Sequence, residues 1–69
     1  MIIVHRINGK EFVLNAEHIK FVESTPDTLI TMNMNDEKFM VKESVKEVIQ
    51  KVIDYKRQWF MNPPPHREN

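Results

Sequence analysis

"TLITMNMNDEKFMVKESVKEVIQKVI", residues 28–53, changes its apolar period part-way along. In its first half Ile30, Met32, Met34, Phe39 and Val41 alternate with other residues, the period of strands that bury one face. From Val45 onward the apolar positions are Val45, Val48, Ile49, Val52 and Ile53, which is helical spacing. Ser44 stands at the change with Glu47 three residues later, the pattern of a capping box in which each side chain satisfies a free backbone N–H of the first turn. The stretch therefore reads as a strand over 28–34, a turn at Asn35-Asp36, a strand over 37–42 and a helix that starts after Ser44. A two-residue turn sets Met32 opposite Phe39 and Ile30 opposite Val41, with both pairs on one face. Lys56 and Arg57 lie towards the C-terminal end, where the helix dipole favours cations, and "NPPP" stops the helix by Met61.

Towards the N-terminus the strand pattern repeats. Residues 2–7 and 10–14 flank Asn8-Gly9, which holds the only glycine of the 69-residue chain. Asn-Gly tolerates the positive φ of a tight hairpin turn. With two turn residues, Ile7 opposes Lys10, Arg6 faces Glu11 as an ion pair, and Val4 opposes Val13; a longer, bulged turn would shift this register. Residues 15–18 form a connection, read as one helical turn capped by Asn15. Residues 19–24 alternate as a third strand, and Thr25–Asp27, with Pro26, form a turn. The fold class is α+β: a small antiparallel β-sheet or open barrel of about five short strands followed by one C-terminal amphipathic helix. Residues 1–61 read as a single domain and 62–69, "NPPPHREN", as a flexible proline-rich tail.

Composition excludes more than it identifies. A domain this small buries a limited share of its surface and commonly needs a disulfide, a metal or a second subunit. There is no cysteine, so disulfides and thiolate metal sites are closed, which fits a reducing compartment. His5, His18 and His66 do not sit at ligand spacing, and no metal or cofactor is expected. No Gly-x-Ser-x-Gly elbow and no glycine-rich phosphate loop occurs, so the chain is not read as an enzyme. Ten basic and ten acidic residues cancel without forming blocks, which argues against a nucleic-acid footprint. No apolar run approaches the roughly 20 residues of a membrane helix, and "MIIVHR" lacks the features of a signal peptide, so a cytoplasmic protein is expected.

The informative anomaly is a surplus of apolar residues. Val22, Leu29 and Met40 fall out of phase with the apolar face of their strands, and Val4 and Val13 oppose Phe12 and Leu14 in the first hairpin. One helix covers one face of a sheet, so a second apolar face requires barrel-like closure or another subunit, and a homo-oligomer is expected. Trp59, Phe60 and Met61 follow one another and cannot all face one core; with Tyr55 and Arg57 nearby they have the composition of an interface. Val13, Val22, Leu29, Met40, Trp59 and Phe60 are thus the candidate interaction surface.

"RINGKEFVLNAEHIKFVESTPDTLITM", residues 6–32, followed by "VKESVKEVIQKVIDYK", residues 41–56, resembles the FlbD/SwrD family of small flagellar and swarming motility proteins. The matching residues include Asn8, Gly9, Phe12, Leu14, Asn15, Pro26, Asp27, Thr28 and Ser44, which are explained by turn, core and cap. The sequence departs from the family pattern at "NMNDEKFM", residues 33–40, where a glycine-containing hairpin is usual, so a less tight second turn is expected. His18 stands where an aliphatic residue is common. The resemblance implies a non-enzymatic protein, without cofactor, that raises flagellar power through the stators. Its implied partner is a flagellar motor or stator protein, and its implied place is the cytoplasm or the periphery of the motor. The alternative is a small nucleic-acid-binding regulator of motility genes.

Overall fold

The structure, a computed structural model, describes residues 1–61, with side chains as far as Gln58. Five short strands precede one helix: β1 (Ile2–His5), β2 (Glu11–Leu14), β3 (Ile19–Ser24), β4 (Thr28–Met32), β5 (Lys38–Val41) and α1 (Val45–Met61). A single 3-10 turn, Ala16–His18, links β2 to β3. Asn15 caps it as expected, its side chain accepting from the Glu17 N–H at 3.0 Å. The strands form two antiparallel sheets, β1-β2 and β3-β4-β5. An antiparallel bridge between Arg6 and Val41, with the Lys42 N–H donating to the His5 carbonyl at 2.9 Å, sets the end of β1 beside β5. The fold is α+β, and it is an open arrangement rather than a closed barrel.

The first hairpin corrects the two-residue turn. Observed partners are Val4 with Phe12 and His5 with Glu11, and the Arg6 N–H donates to the Lys10 carbonyl at 2.8 Å. The loop is Ile7-Asn8-Gly9: the Gly9 N–H bonds back to the Arg6 carbonyl at 2.8 Å, and Gly9 takes φ 91°. This is a three-residue hairpin loop, a turn followed by a left-handed residue. The Asn8 side chain helps by accepting from the Lys10 N–H at 2.9 Å. A one-residue slip reverses the faces of one strand relative to the other. Val4 therefore shares the inner face with Phe12 and Leu14, and Val13 points outward opposite Ile3. The expected Arg6–Glu11 pair gives way to a different contact: the Arg6 guanidinium lies 4.3 Å from the Phe12 ring centre and 5.9 Å from that of Phe39. A Cβ at Gly9 would meet nothing within 4 Å, so only the backbone opposes substitution there. Gly9→Ala is expected to cost about 1 kcal/mol, the left-handed penalty, seen as a lower urea midpoint with an unchanged m-value; no change would mean that the loop relaxes to another turn.

The second hairpin is also longer than two residues. Ile30 pairs with Phe39 and Thr31 with Lys38, two positions away from the expected register, and the Met32 N–H donates to the Glu37 carbonyl at 2.8 Å. A shift of two preserves the faces. Asn33–Asp36 form the loop, with Asn35 at φ 68° and Asp36 at φ 53°, the conformation glycine adopts most readily. Two non-glycine residues occupy it here, which accords with the expected looser turn.

Ile2, Val4, Leu14, Ala16, Ile30, Met32, Val41 and Val48 form the buried core. Phe12, Ile19, Val22, Phe39, Val52 and Tyr55 pack against it. The capping box forms in both directions: Glu47 N–H to Ser44 Oγ at 3.1 Å, and Ser44 N–H to Glu47 Oε1 at 2.8 Å. Ser44→Ala is expected to cost about 1 kcal/mol, measured by thermal or urea unfolding; an undiminished stability would contradict the cap. Because α1 runs to Met61, Lys56 and Arg57 fall short of its last turn, which carries no basic residue.

Candidate interaction surfaces

Strand registers fix which side chains share the outer face of the β3-β4-β5 sheet. Ile19 pairs with Met32 but Phe21 pairs with Thr31, so the strand is irregular at Lys20. This irregularity turns Ile19 and Val22 towards the core and Phe21 away from it. Val22, a candidate for the outer surface, is thus placed half-buried against the core, and Phe21 takes its position, 47% exposed. Two rows cross the outer face: Glu23–Leu29–Met40 and Phe21–Thr31–Lys38. Met40 is 45% exposed, Leu29 is half-buried and Thr31 is covered by its neighbours. Lys20 lies beside this face and pairs with Asp36 at 3.0 Å, which ties the second hairpin loop to β3. The Lys20 hydrogen bond and charge hold the Asp36 carboxyl below its ordinary value.

A second apolar patch runs along α1. Val48 is buried and Val52 and Tyr55 are half-buried, whereas Ile49 and Ile53 are more than two-fifths exposed. Val48, Ile49, Val52 and Ile53 line an open groove of ≈ 350 Å³ with Ile19, Val22 and Ala16. Val13 forms a third exposed apolar spot with Ile3 on the outer side of β1-β2. Trp59 and Phe60 lie on the final turn of α1, outside the residues whose side chains the structure describes, and the 62–69 tail is outside the described residues altogether. Among the described residues no three His, Cys, Asp or Glu side chains group as a metal-ion ligand set.

One polar constellation has no precursor in the local sequence. Glu43, 9% exposed, sits just before the Ser44 cap. Its Oε1 accepts from the His5 backbone N–H at 2.9 Å, and its Oε2 takes the His5 Nδ1 at 2.7 Å. The carboxylate clamps β1 to the entrance of α1. Burial pushes the Glu43 carboxyl up, but hydrogen bonds from the His5 ring, the His5 N–H and its own N–H outweigh burial and leave it lowered. The two partners are 38 residues apart in sequence, so no spacing rule could pair them.

The turn, core and cap residues of the motif occupy the places their chemistry requires. Asn8 and Gly9 form the first loop, Phe12, Leu14 and Thr28 face inward, Asn15 and Ser44 cap, and Pro26 and Asp27 are exposed between β3 and β4. A family model described as "FlbD: Flagellar and Swarming motility proteins" matches residues 1–60. The chain belongs to the FlbD family. The match spans all five strands and α1 as far as residue 60. No curated protein and no solved structure matches the chain. No described helix of this FlbD-family chain is long and apolar enough to cross a membrane.

Proposed function

We propose that this FlbD-family chain is a non-enzymatic interaction module that supports flagellar motor power through the stator. It works in the cytoplasm, at the periphery of the motor. The family match over residues 1–60 carries the motility part of this reading. The interaction part is supported by apolar side chains left outside a small core: Phe21, Met40, Ile49 and Ile53 are each more than two-fifths exposed. Surface of this kind commonly marks contact with another protein. Trp59 and Phe60, close in sequence to Tyr55 and Arg57, are the residues assigned to the motor contact, since aromatic and arginine anchors dominate binding energy at interfaces.

The test is deletion of the gene and complementation, read as filament number and as single-motor torque. Filament number is expected to stay the same, torque to fall, and the wild-type chain to restore it. Normal torque with altered flagellar transcript levels would replace this reading with that of a regulator of motility genes.

A further inference from the structure

We propose that the outer face of the β3-β4-β5 sheet pairs with the same face of a second copy of this chain, about a two-fold axis along the Phe21–Met40 diagonal. The inference deepens the interaction reading, but it concerns a different surface from the motor contact and is tested without the motor.

The registers arrange this face as a grid. Glu23, Leu29 and Met40 form one row, and Phe21, Thr31 and Lys38 form the next. Glu23 and Lys38 occupy opposite corners, about 12 Å apart at ordinary strand and residue spacing. Neither has an ion-pair partner within 4.0 Å among the described residues. The apolar Phe21 and Met40 occupy the other two corners.

Four two-fold axes in the plane between the faces would stack two copies on this grid, the two diagonal ones with corners offset by about 4 Å, within reach of Glu and Lys side chains, because the grid is about 10 Å across the strands and about 7 Å along them. An axis along the strands sets Glu23 against Met40 and Phe21 against Lys38. An axis across the strands sets Glu23 against Phe21 and Met40 against Lys38. An axis along the Glu23–Lys38 diagonal sets each charge against its own copy. Only the Phe21–Met40 diagonal places Glu23 against Lys38 of the second copy, twice, while Phe21 meets Phe21, Met40 meets Met40, and Leu29 closes the middle. The strands of the two sheets then cross at roughly 70°, nearer to the orthogonal than to the aligned way in which sheets stack face to face.

Three further observations favour a second copy as the occupant. The fold is not a closed barrel, so closure does not cover this face. The core is small and has no disulfide to support it, and association is a common remedy for domains of this size. The pattern of charge is complementary to itself. The six grid positions span only about 200 Å² at ordinary spacing, against about 800 Å² per partner in a stable complex. Self-association through this face is therefore weak and is expected only at high protein concentration.

Sedimentation equilibrium of the full chain, up to about 1 mM and at low and high salt, tests the proposal, with charge swaps as the discriminating variants. The wild-type chain is expected to dimerise, less so at high salt. E23K alone makes both ionic corners basic, and K38E alone makes both acidic; each is expected to weaken the dimer at least tenfold. An equimolar mixture of the two is expected to form a heterodimer, and the E23K/K38E double variant to recover the homodimer. Recovery on mixing also shows that each single variant is folded. A wild-type chain that stays monomeric, a single swap that dimerises like wild type, or a mixture that fails to associate would each overturn the proposal. Loss of dimerisation with normal motor torque would leave the motor reading standing, and the reverse result would leave the dimer standing.

Discussion

Replacing Ile30 with alanine is expected to leave much of the protein unfolded at 25 °C. Ile30 is completely buried at the centre of β4, in the row Val22–Ile30–Phe39 that faces the core. Truncating a buried Ile to Ala removes the transfer free energy of three carbons and leaves a cavity, at a combined cost of about 2–5 kcal/mol. A domain of this length has roughly 3–10 kcal/mol to lose. Phe39 and Val22 are held by their own strands and cannot fill the space without shifting the sheet. Urea unfolding followed by far-UV circular dichroism measures the effect. Ile30→Val, which removes one methylene, should cost only about 1 kcal/mol. Equal stability of Ile30→Ala and the wild-type chain would contradict the register that places Ile30 inward.

Glu43→Ala is expected to produce the next largest loss, roughly 1–3 kcal/mol. The substitution leaves two donors of His5, its backbone N–H and ring N–H, without their acceptor, and frees β1 from the entrance to α1. The loss should depend on pH. The folded-state value of Glu43 lies below its ordinary 4.5. Its ionised form therefore contributes stability that is fully present above the unfolded-state value and is lost as pH falls through the folded-state value. The gap between wild type and Glu43→Ala should thus be largest near neutral pH and narrow progressively below about pH 4.5. Urea titrations at neutral and at acid pH check this. A gap of the same size at both would mean that the carboxylate charge contributes nothing to the clamp.

Much of this fold was legible in the sequence because two local rules are strong. The change from period 2 to period 3.6 located the strands and α1, and the Ser44–Glu47 box marked the start of the helix. Registers were less legible, because they depend on loop length. Asn8-Gly9 announces a turn, but whether Ile7 belongs to the strand or to the loop is decided by the Arg6–Lys10 bond and by Arg6 covering Phe12 and Phe39. A single residue there moved Val4 to the side of Phe12. The irregularity at Lys20 is of the same kind: alternation counted through it exchanges Phe21 for Val22.

The candidate interaction surfaces were legible as a surplus and not as a place. Leu29, Met40 and Val13 are out of phase in the sequence, and the first two share one outer face with Phe21. Ile49 and Ile53 match the helical period, yet they sit at the flank of the covered stripe and remain exposed. Periodicity gives a direction around the helix axis, but the width of the buried stripe depends on the sheet beneath it. The His5–Glu43 clamp was not legible at all. It joins residues far apart in sequence, which the Arg6–Val41 bridge and the Lys42–His5 backbone bond bring together.

The proposed motor contact is tested most directly by cross-linking a tagged full-length copy in motile cells and identifying what is captured by mass spectrometry. A flagellar motor or stator protein should be enriched with the wild-type chain and lost with W59A/F60A, while the variant keeps its circular dichroism spectrum and its self-association. Capture of flagellar transcripts or promoter DNA in place of any motor protein would contradict the account.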